Sequence, residues 1–142
     1  MTNTDEDRIR ELIEEKAAGL RARDPQRMIS GYAPEVVQYD LAPPLRHVGP
    51  EVRDAGGVQK WLDTFQGPID MEVRDLVVTI GGDVAFTHSL NCLTATPQGM
   101  DESFDLWFRV TLGLRKVDGA WLIRSKSIMG WAGDVLSRFE QR

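Results

Sequence analysis

Two charged residues stand where charge is costly. Asp40 closes the run Val36-Val37-Gln38-Tyr39 and is followed at once by Leu41-Ala42-Pro43-Pro44-Leu45. A carboxylate walled by apolar groups loses hydration, so its pKa rises toward the range useful to a general base. A turn-capping role at a strand end fits the same position. Lys16 follows Leu12 by four residues and Ile13 by three, and precedes Leu20 by four, which puts it on the apolar stripe of a helix. An ammonium there snorkels to solvent, pairs with an acid or sheds its proton. Turned into a pocket and charged, it would steady an enolate formed when Asp40 removes a proton. As a neutral amine it would attack a carbonyl and form a Schiff base, with Asp40 serving the proton transfers.

The remaining reactive side chains are few. His88 alternates with Phe86, Leu90 and Cys92 on one strand face, so it is a candidate wall of a pocket as well as a core residue. His47 follows Arg46 in a polar stretch and reads as solvated. Cys92 has no neighbour in sequence that would lower its pKa. No His, Cys and Asp cluster has metal-ligand spacing, and the Gly56-Gly57 and Gly81-Gly82 pairs do not join a strand to a helix as a phosphate loop must. Neither a metal nor a cofactor is therefore expected. Trp61, Phe65, Trp121, Met129 and Trp131, together with Tyr32, are candidate aromatic and soft walls for a planar ligand, and each serves equally well as ordinary packing.

The elements that must position these residues follow from periodicity. Residues 5–23 carry Ile9, Leu12, Ile13 and Leu20 at helical spacing. Asp24-Pro25 supplies a cap and a first-turn proline for a short helix over about 25–33. A third helix is expected from Gly49 to about Phe65, interrupted at Gly56-Gly57. Short strands fall at 36–40 and 45–48. Beyond residue 69 the period becomes two: strands over 71–80, 84–96, 103–117 and 120–129, joined by hairpin signals at Gly81-Gly82-Asp83 and Val117-Asp118-Gly119-Ala120. Phe104, Leu106, Phe108, Val110, Leu112 and Leu114 share the buried face of the long strand, with Trp107 on the other face among Asp105 and Arg109. That outer face suits a partner subunit, or a half-solvated sheet. In the last strand, simple alternation sends Lys126 outward with Arg124 and leaves Ser125 and Ser127 to meet a ligand. Trp131, Val135, Leu136 and Phe139 have the spacing of a terminal helix or lid. The fold class is α+β, one curved antiparallel sheet with helices on one face.

Composition narrows the functions. The 142 residues form one domain on length, with a net charge of −5, 42% apolar residues and a single cysteine. The acidic balance and absence of clustered Lys/Arg argue against nucleic acid. No run reaches the roughly 18 apolar residues of a membrane span, and the acidic, polar start is neither a signal nor a transit peptide. A compact cytoplasmic domain is expected, with its function in a small-molecule pocket or an interface.

Several stretches resemble the nuclear-transport-factor-2-like superfamily, particularly its ketosteroid-isomerase-like and SnoaL-like members, over residues 8–128. They are 32–46 (YAPEVVQYDLAPPLR), 83–91 (DVAFTHSLN) and 114–121 (LRKVDGAW). The resemblance implies a cone-shaped sheet closed by three helices from the N-terminal half around a central apolar pocket, in a homodimer. It puts Asp40 where the isomerases keep the aspartate that shuttles the substrate proton, and Lys16 where they keep an oxyanion-holding tyrosine. Their second oxyanion donor, a protonated acid, corresponds here to Leu112, which argues against steroid isomerisation. The His-x-His pair of SnoaL-like relatives corresponds to Ser125 and Ser127. The function this implies is cofactor-free acid–base chemistry on a small apolar or aromatic carbonyl compound: proton transfer, isomerisation, cyclisation or carbon–carbon cleavage. Schiff-base (retro-aldolase-type) catalysis on Lys16, in a natural or an engineered site, and non-catalytic binding are the alternatives.

Overall fold

The computed structural model describes residues 4–130; the segment carrying Trp131, Val135, Leu136 and Phe139 lies outside them. Helix α1 (Asp5–Arg21) starts at a reciprocal cap, in which the Asp7 amide donates to Thr4 Oγ1 and the Thr4 amide to Asp7 Oδ2. Its buried stripe is Ile9, Ile13, Ala17 and Leu20. Asp24 caps α2 (Pro25–Ile29) by accepting from the Gln26 amide at 3.1 Å. The α1–α2 corner is tight: a Cβ on Gly19 would lie 2.7 Å from Arg27 Cβ and 2.9 Å from Met28 N. This closeness brings the Met28 carbonyl to Lys16.

The strands are β1 (Tyr32–Tyr39), β2 (Arg46–Val48), β3 (Phe65–Gly81), β4 (Val84–Pro97), β5 (Phe104–Val117) and β6 (Ala120–Gly130). They form one sheet in the order β2-β1-β6-β5-β4-β3. All pairs are antiparallel except β1–β6, which is parallel and departs from the purely antiparallel sheet expected. The Asp118-Gly119 turn has positive φ at both residues, the geometry that a two-residue hairpin requires.

Three boundaries differ from expectation. Helix α2 ends at Ile29 and Tyr32 opens β1, because Gly31 takes φ +83° and turns the chain into the sheet. The expected third helix divides at Asp54, before the glycine pair. A 3₁₀ turn spans Gly49–Glu51, and α3 (Ala55–Leu62) restarts where Asp54 Oδ1 accepts from the Gly56 amide at 3.0 Å. Phe65 begins β3, since an edge strand tolerates the Gly67-Pro68 pair that otherwise marks a turn.

One group of buried side chains joins Ile9 and Ile13 to Tyr32, Val36, Val110, Leu112, Trp121 and Ile123. A second joins Leu20 and Leu62 to Phe65, Ile69, Leu93 and Ala95, with Phe108 packed against both. The helices therefore cover the concave face as expected. No described helix is long and apolar enough to cross a membrane.

Candidate active site

Between the helices and the concave sheet face lies a cavity of about 780 Å³, of the size that holds small organic ligands. Its apolar wall includes Leu20, Trp61, Phe65, Phe104, Phe108 and Leu112. Lys16 and Asp40 both line it. Two polar groups stand out on its surface.

The first is a stack of Lys16, Tyr32 and Lys126. The stripe position of Lys16 carries its Nζ over the Tyr32 ring, 3.6 Å from the centroid, where the π face attracts a cation. The same Nζ donates to the Met28 carbonyl, so neither snorkelling nor pairing with an acid is its fate. Lys126 Nζ lies 3.3 Å from the Tyr32 hydroxyl. Burial pushes the Lys16 amine down to about 8, with repulsion from Lys126 in the same direction and Tyr32 opposing both. Burial alone would raise the Tyr32 phenol, yet the charges of Lys126 and Lys16, with their hydrogen bonds, outweigh it and bring it down to about 8.

The second group sits on the β1–β2 hairpin. The register pairs Gln38 with His47, which turns both side chains to one face, and Asp40 follows Gln38 by two. Gln38 Nε2 donates to Asp40 Oδ2 at 3.2 Å, and His47 Nε2 lies 3.6 Å from the same oxygen. His47 Nδ1 is 3.1 Å from Glu51 Oε2. The ring therefore stands between two carboxylates, with Nδ1 facing Glu51 and Nε2 facing Asp40. Asp40 is not the apolar-walled carboxylate that its neighbours in sequence suggested. Its side chain is 34% exposed, and Leu41 and Leu45 are themselves exposed.

Of the residues singled out in the sequence, Tyr32, Trp61, Phe65 and Leu112 line the cavity; Ser125, Ser127, Met129 and His88 do not. For the first three the cause is one bulge. Gly113 pairs with Ser125 but Leu114 pairs with Ile123, so Arg124 is an extra residue on β6. Alternation reverses there. Trp121 and Ile123 point inward before the bulge, Lys126 and Ile128 after it, while Ser125, Ser127 and Met129 turn to the outer face. Gly113 makes room for this, since a Cβ there would lie 2.4 Å from Ser125 Oγ. A glycine in the middle of a long strand is the sequence signal that announces such a bulge. His88 pairs with Thr111 on the outer face, and Thr87, Ser89 and Asn91 take the inner one. The apolar run Phe86, Leu90 and Cys92 misleads because the outer face is itself rich in apolar residues. Burial raises the Cys92 thiol, which keeps it unreactive. His47, Lys126, Gln38 and Glu51 are the site residues that pattern reasoning missed. Among the described residues no group of three His, Cys, Asp or Glu is placed to hold a metal ion.

A curved six-stranded sheet folded around a helix-capped cavity defines the nuclear-transport-factor-2-like class of α+β proteins. Within it, residues 9–128 match the SnoaL-like domain, and the chain belongs to that family. An NTF2-like protein of unknown function from Pseudomonas putida KT2440 is 27% identical, with a TM-score of 0.72 over 85% of this chain and 82% of that one. Two solved structures at 13% identity share the fold. A putative scytalone dehydratase from Novosphingobium aromaticivorans DSM 12444 has a TM-score of 0.76 over 87% of this chain and 82% of that one. A type 2 hexachlorocyclohexane dehydrochlorinase (LinA) has 0.77 over 88% and 84%. No curated protein matches the sequence.

Proposed function

We propose that the cavity is a cofactor-free acid–base site acting on a small, largely apolar carbonyl compound, with Asp40 as general base and Lys16 as its electrostatic partner. The observation that carries this is the presence of both side chains in the lining of one cavity, each fixed by specific partners. Asp40 takes a proton from the carbon beside the carbonyl, and the C–H electron pair moves onto the carbonyl oxygen. The Lys16 ammonium holds the resulting enolate. His47 stands beside Asp40, its Nε2 3.6 Å from Oδ2, with Glu51 on the other side of the ring, and so positions the carboxylate. Collapse of the enolate then either returns the proton at another carbon or expels a leaving group β to the carbonyl. Two proteins that share this fold are named for eliminations, a dehydratase and a dehydrochlorinase, which fits the second course at the level of fold.

The test is a panel of apolar ketones and β-substituted carbonyl compounds followed in deuterium oxide by proton NMR. Protein-dependent exchange of the protons beside the carbonyl, or loss of the β substituent, is the expected result; their absence across the panel leaves a binding module. Schiff-base chemistry is the second reading, favoured by the depressed amine of Lys16. Borohydride trapping with a ketone gives a mass increment on Lys16 only if that reading holds. The proposal includes a cytoplasmic homodimer joined through the outer sheet face, where Phe86, Leu90, Trp107 and Met129 are exposed.

A further inference from the structure

The proton-transfer scheme leaves Lys126 without a task. Its ammonium lines the cavity beside the Tyr32 hydroxyl. No carboxylate of the described residues forms an ion pair with it or with Lys16. The acids that line the same cavity are occupied at the hairpin and at the start of α3. Asp40 and Glu51 flank His47, and Asp54 accepts from the Gly56 amide. One oxyanion on Lys16 would leave a second ammonium in the cavity with no ion-pair partner among the described residues. Two ammonium groups beside one phenol ring concentrate positive charge at this end of the cavity. The response of Tyr32, whose phenol is drawn down to about 8 in spite of its burial, reports the same excess of positive charge.

We infer that Lys126 and the Tyr32 hydroxyl form an anion subsite and that the ligand is an apolar oxo acid, its carboxylate on Lys126 and its reacting carbonyl on Lys16. The inference rests on Lys16 holding the carbonyl oxygen as proposed above. Geometry sets the spacing of the two groups. Both ammonium nitrogens lie within 6.0 Å of the Tyr32 ring centre, one over its face and one beyond its hydroxyl. The carboxylate and the carbonyl are therefore separated by few bonds, as in a 2-oxo or 3-oxo acid. The apolar remainder of the ligand faces Phe65, Phe104 and Trp61. A carboxylate accepts a charge-assisted hydrogen bond from an ammonium, whereas a neutral amide offers only a weaker acceptor, so the subsite discriminates between them.

The experiment compares 2-oxo-4-phenylbutanoate with 2-oxo-4-phenylbutanamide on the whole protein by titration calorimetry near pH 7, with deuterium exchange of their C3 protons followed in parallel. The acid is expected to bind at least about tenfold more tightly than the amide. Lys126→Met abolishes that preference without weakening amide binding, and Lys126→Arg restores it. Equal or tighter binding of the amide to the unaltered protein overturns the inference without recourse to any variant, as does a preference that survives Lys126→Met. The two readings separate cleanly. Exchange on both compounds without a preference for the acid overturns the subsite and leaves the acid–base function standing. A Lys126-dependent preference without exchange supports the subsite and removes the acid–base function.

Discussion

Replacing Lys126 by Met removes the ammonium that lies 3.3 Å from the Tyr32 hydroxyl. Tyr32 is 8% exposed, and burial alone would hold its phenol above the ordinary 10; instead Lys126 and Lys16 bring it down to about 8. That displacement corresponds to about 3 kcal/mol in favour of the phenolate, net of the burial cost. A unit charge some 4 Å away supplies about 4 kcal/mol at an effective dielectric constant near 20. The gross lowering exceeds that net figure by the burial cost, so Lys126, the larger of the two charges acting on the phenol, shares it with Lys16, and without Lys126 the phenol moves back up toward its ordinary 10. The chain has two tyrosines, and the other, Tyr39, is 47% exposed. Tyrosinate absorbance followed from pH 6 to pH 11 should thus show an early step near pH 8. Tyr32→Phe deletes that step, and Lys126→Met moves it to higher pH. Absence of any tyrosinate step near pH 8 in the unaltered protein would refute the electrostatic reasoning. So would an early step unmoved by Lys126→Met.

The same two groups couple stability to pH. The unfolded chain holds protons on Lys16 and Tyr32 up to their ordinary 10.5 and 10.0, whereas the folded protein releases a proton near 8. The unfolded state binds more protons in that window, so stability rises from about pH 8 toward pH 10. Urea midpoints measured across the window should climb in the unaltered protein and stay flatter in the Tyr32→Phe, Lys16→Met double variant. His47→Gln should slow exchange of the ligand proton by about tenfold or more while leaving ligand affinity within about threefold, because it removes a neighbour that positions the Asp40 carboxylate. Gly19→Ala drives a Cβ into Arg27 and the Met28 backbone, and should lower stability by about 1–3 kcal/mol, read from denaturant midpoints. Trp107→Glu on the exposed outer sheet face should convert a dimer to a monomer in sedimentation velocity, with the fold retained by circular dichroism.

Local patterns revealed the frame of this protein and one half of each polar group. The Lys16 stripe position follows from helical period alone, because α1 is long and regular enough for three-and-four spacing to be read without error. The even-numbered inner face of β5 follows in the same way from strict alternation. Alternation fails one strand later. Arg124 adds a residue opposite Gly113, and the parity of everything beyond it changes, so Lys126 enters the cavity and Ser125, Ser127 and Met129 leave it. His47 was hidden for a different reason. Its role depends on the β1–β2 register that sets it beside Gln38 and within reach of Asp40, and a three-residue strand carries too little pattern to declare a register. The four-residue step from His47 to Glu51 was the legible clue to that arrangement. Tyr32 shows the limit of element boundaries. Placed at the end of a helix it is one more core aromatic; as the first residue of β1 it becomes the platform between two lysines.

The most direct measurement is the rate at which the protein exchanges the C3 protons of 2-oxo-4-phenylbutanoate for deuterium, taken side by side with Asp40→Asn. Asparagine keeps the shape of the side chain and its contact with Gln38 while removing the base. The account predicts a fall of about 10²–10⁴-fold with binding of the oxo acid retained. Exchange that proceeds equally fast in Asp40→Asn would contradict the assignment of Asp40 as the base in this cavity.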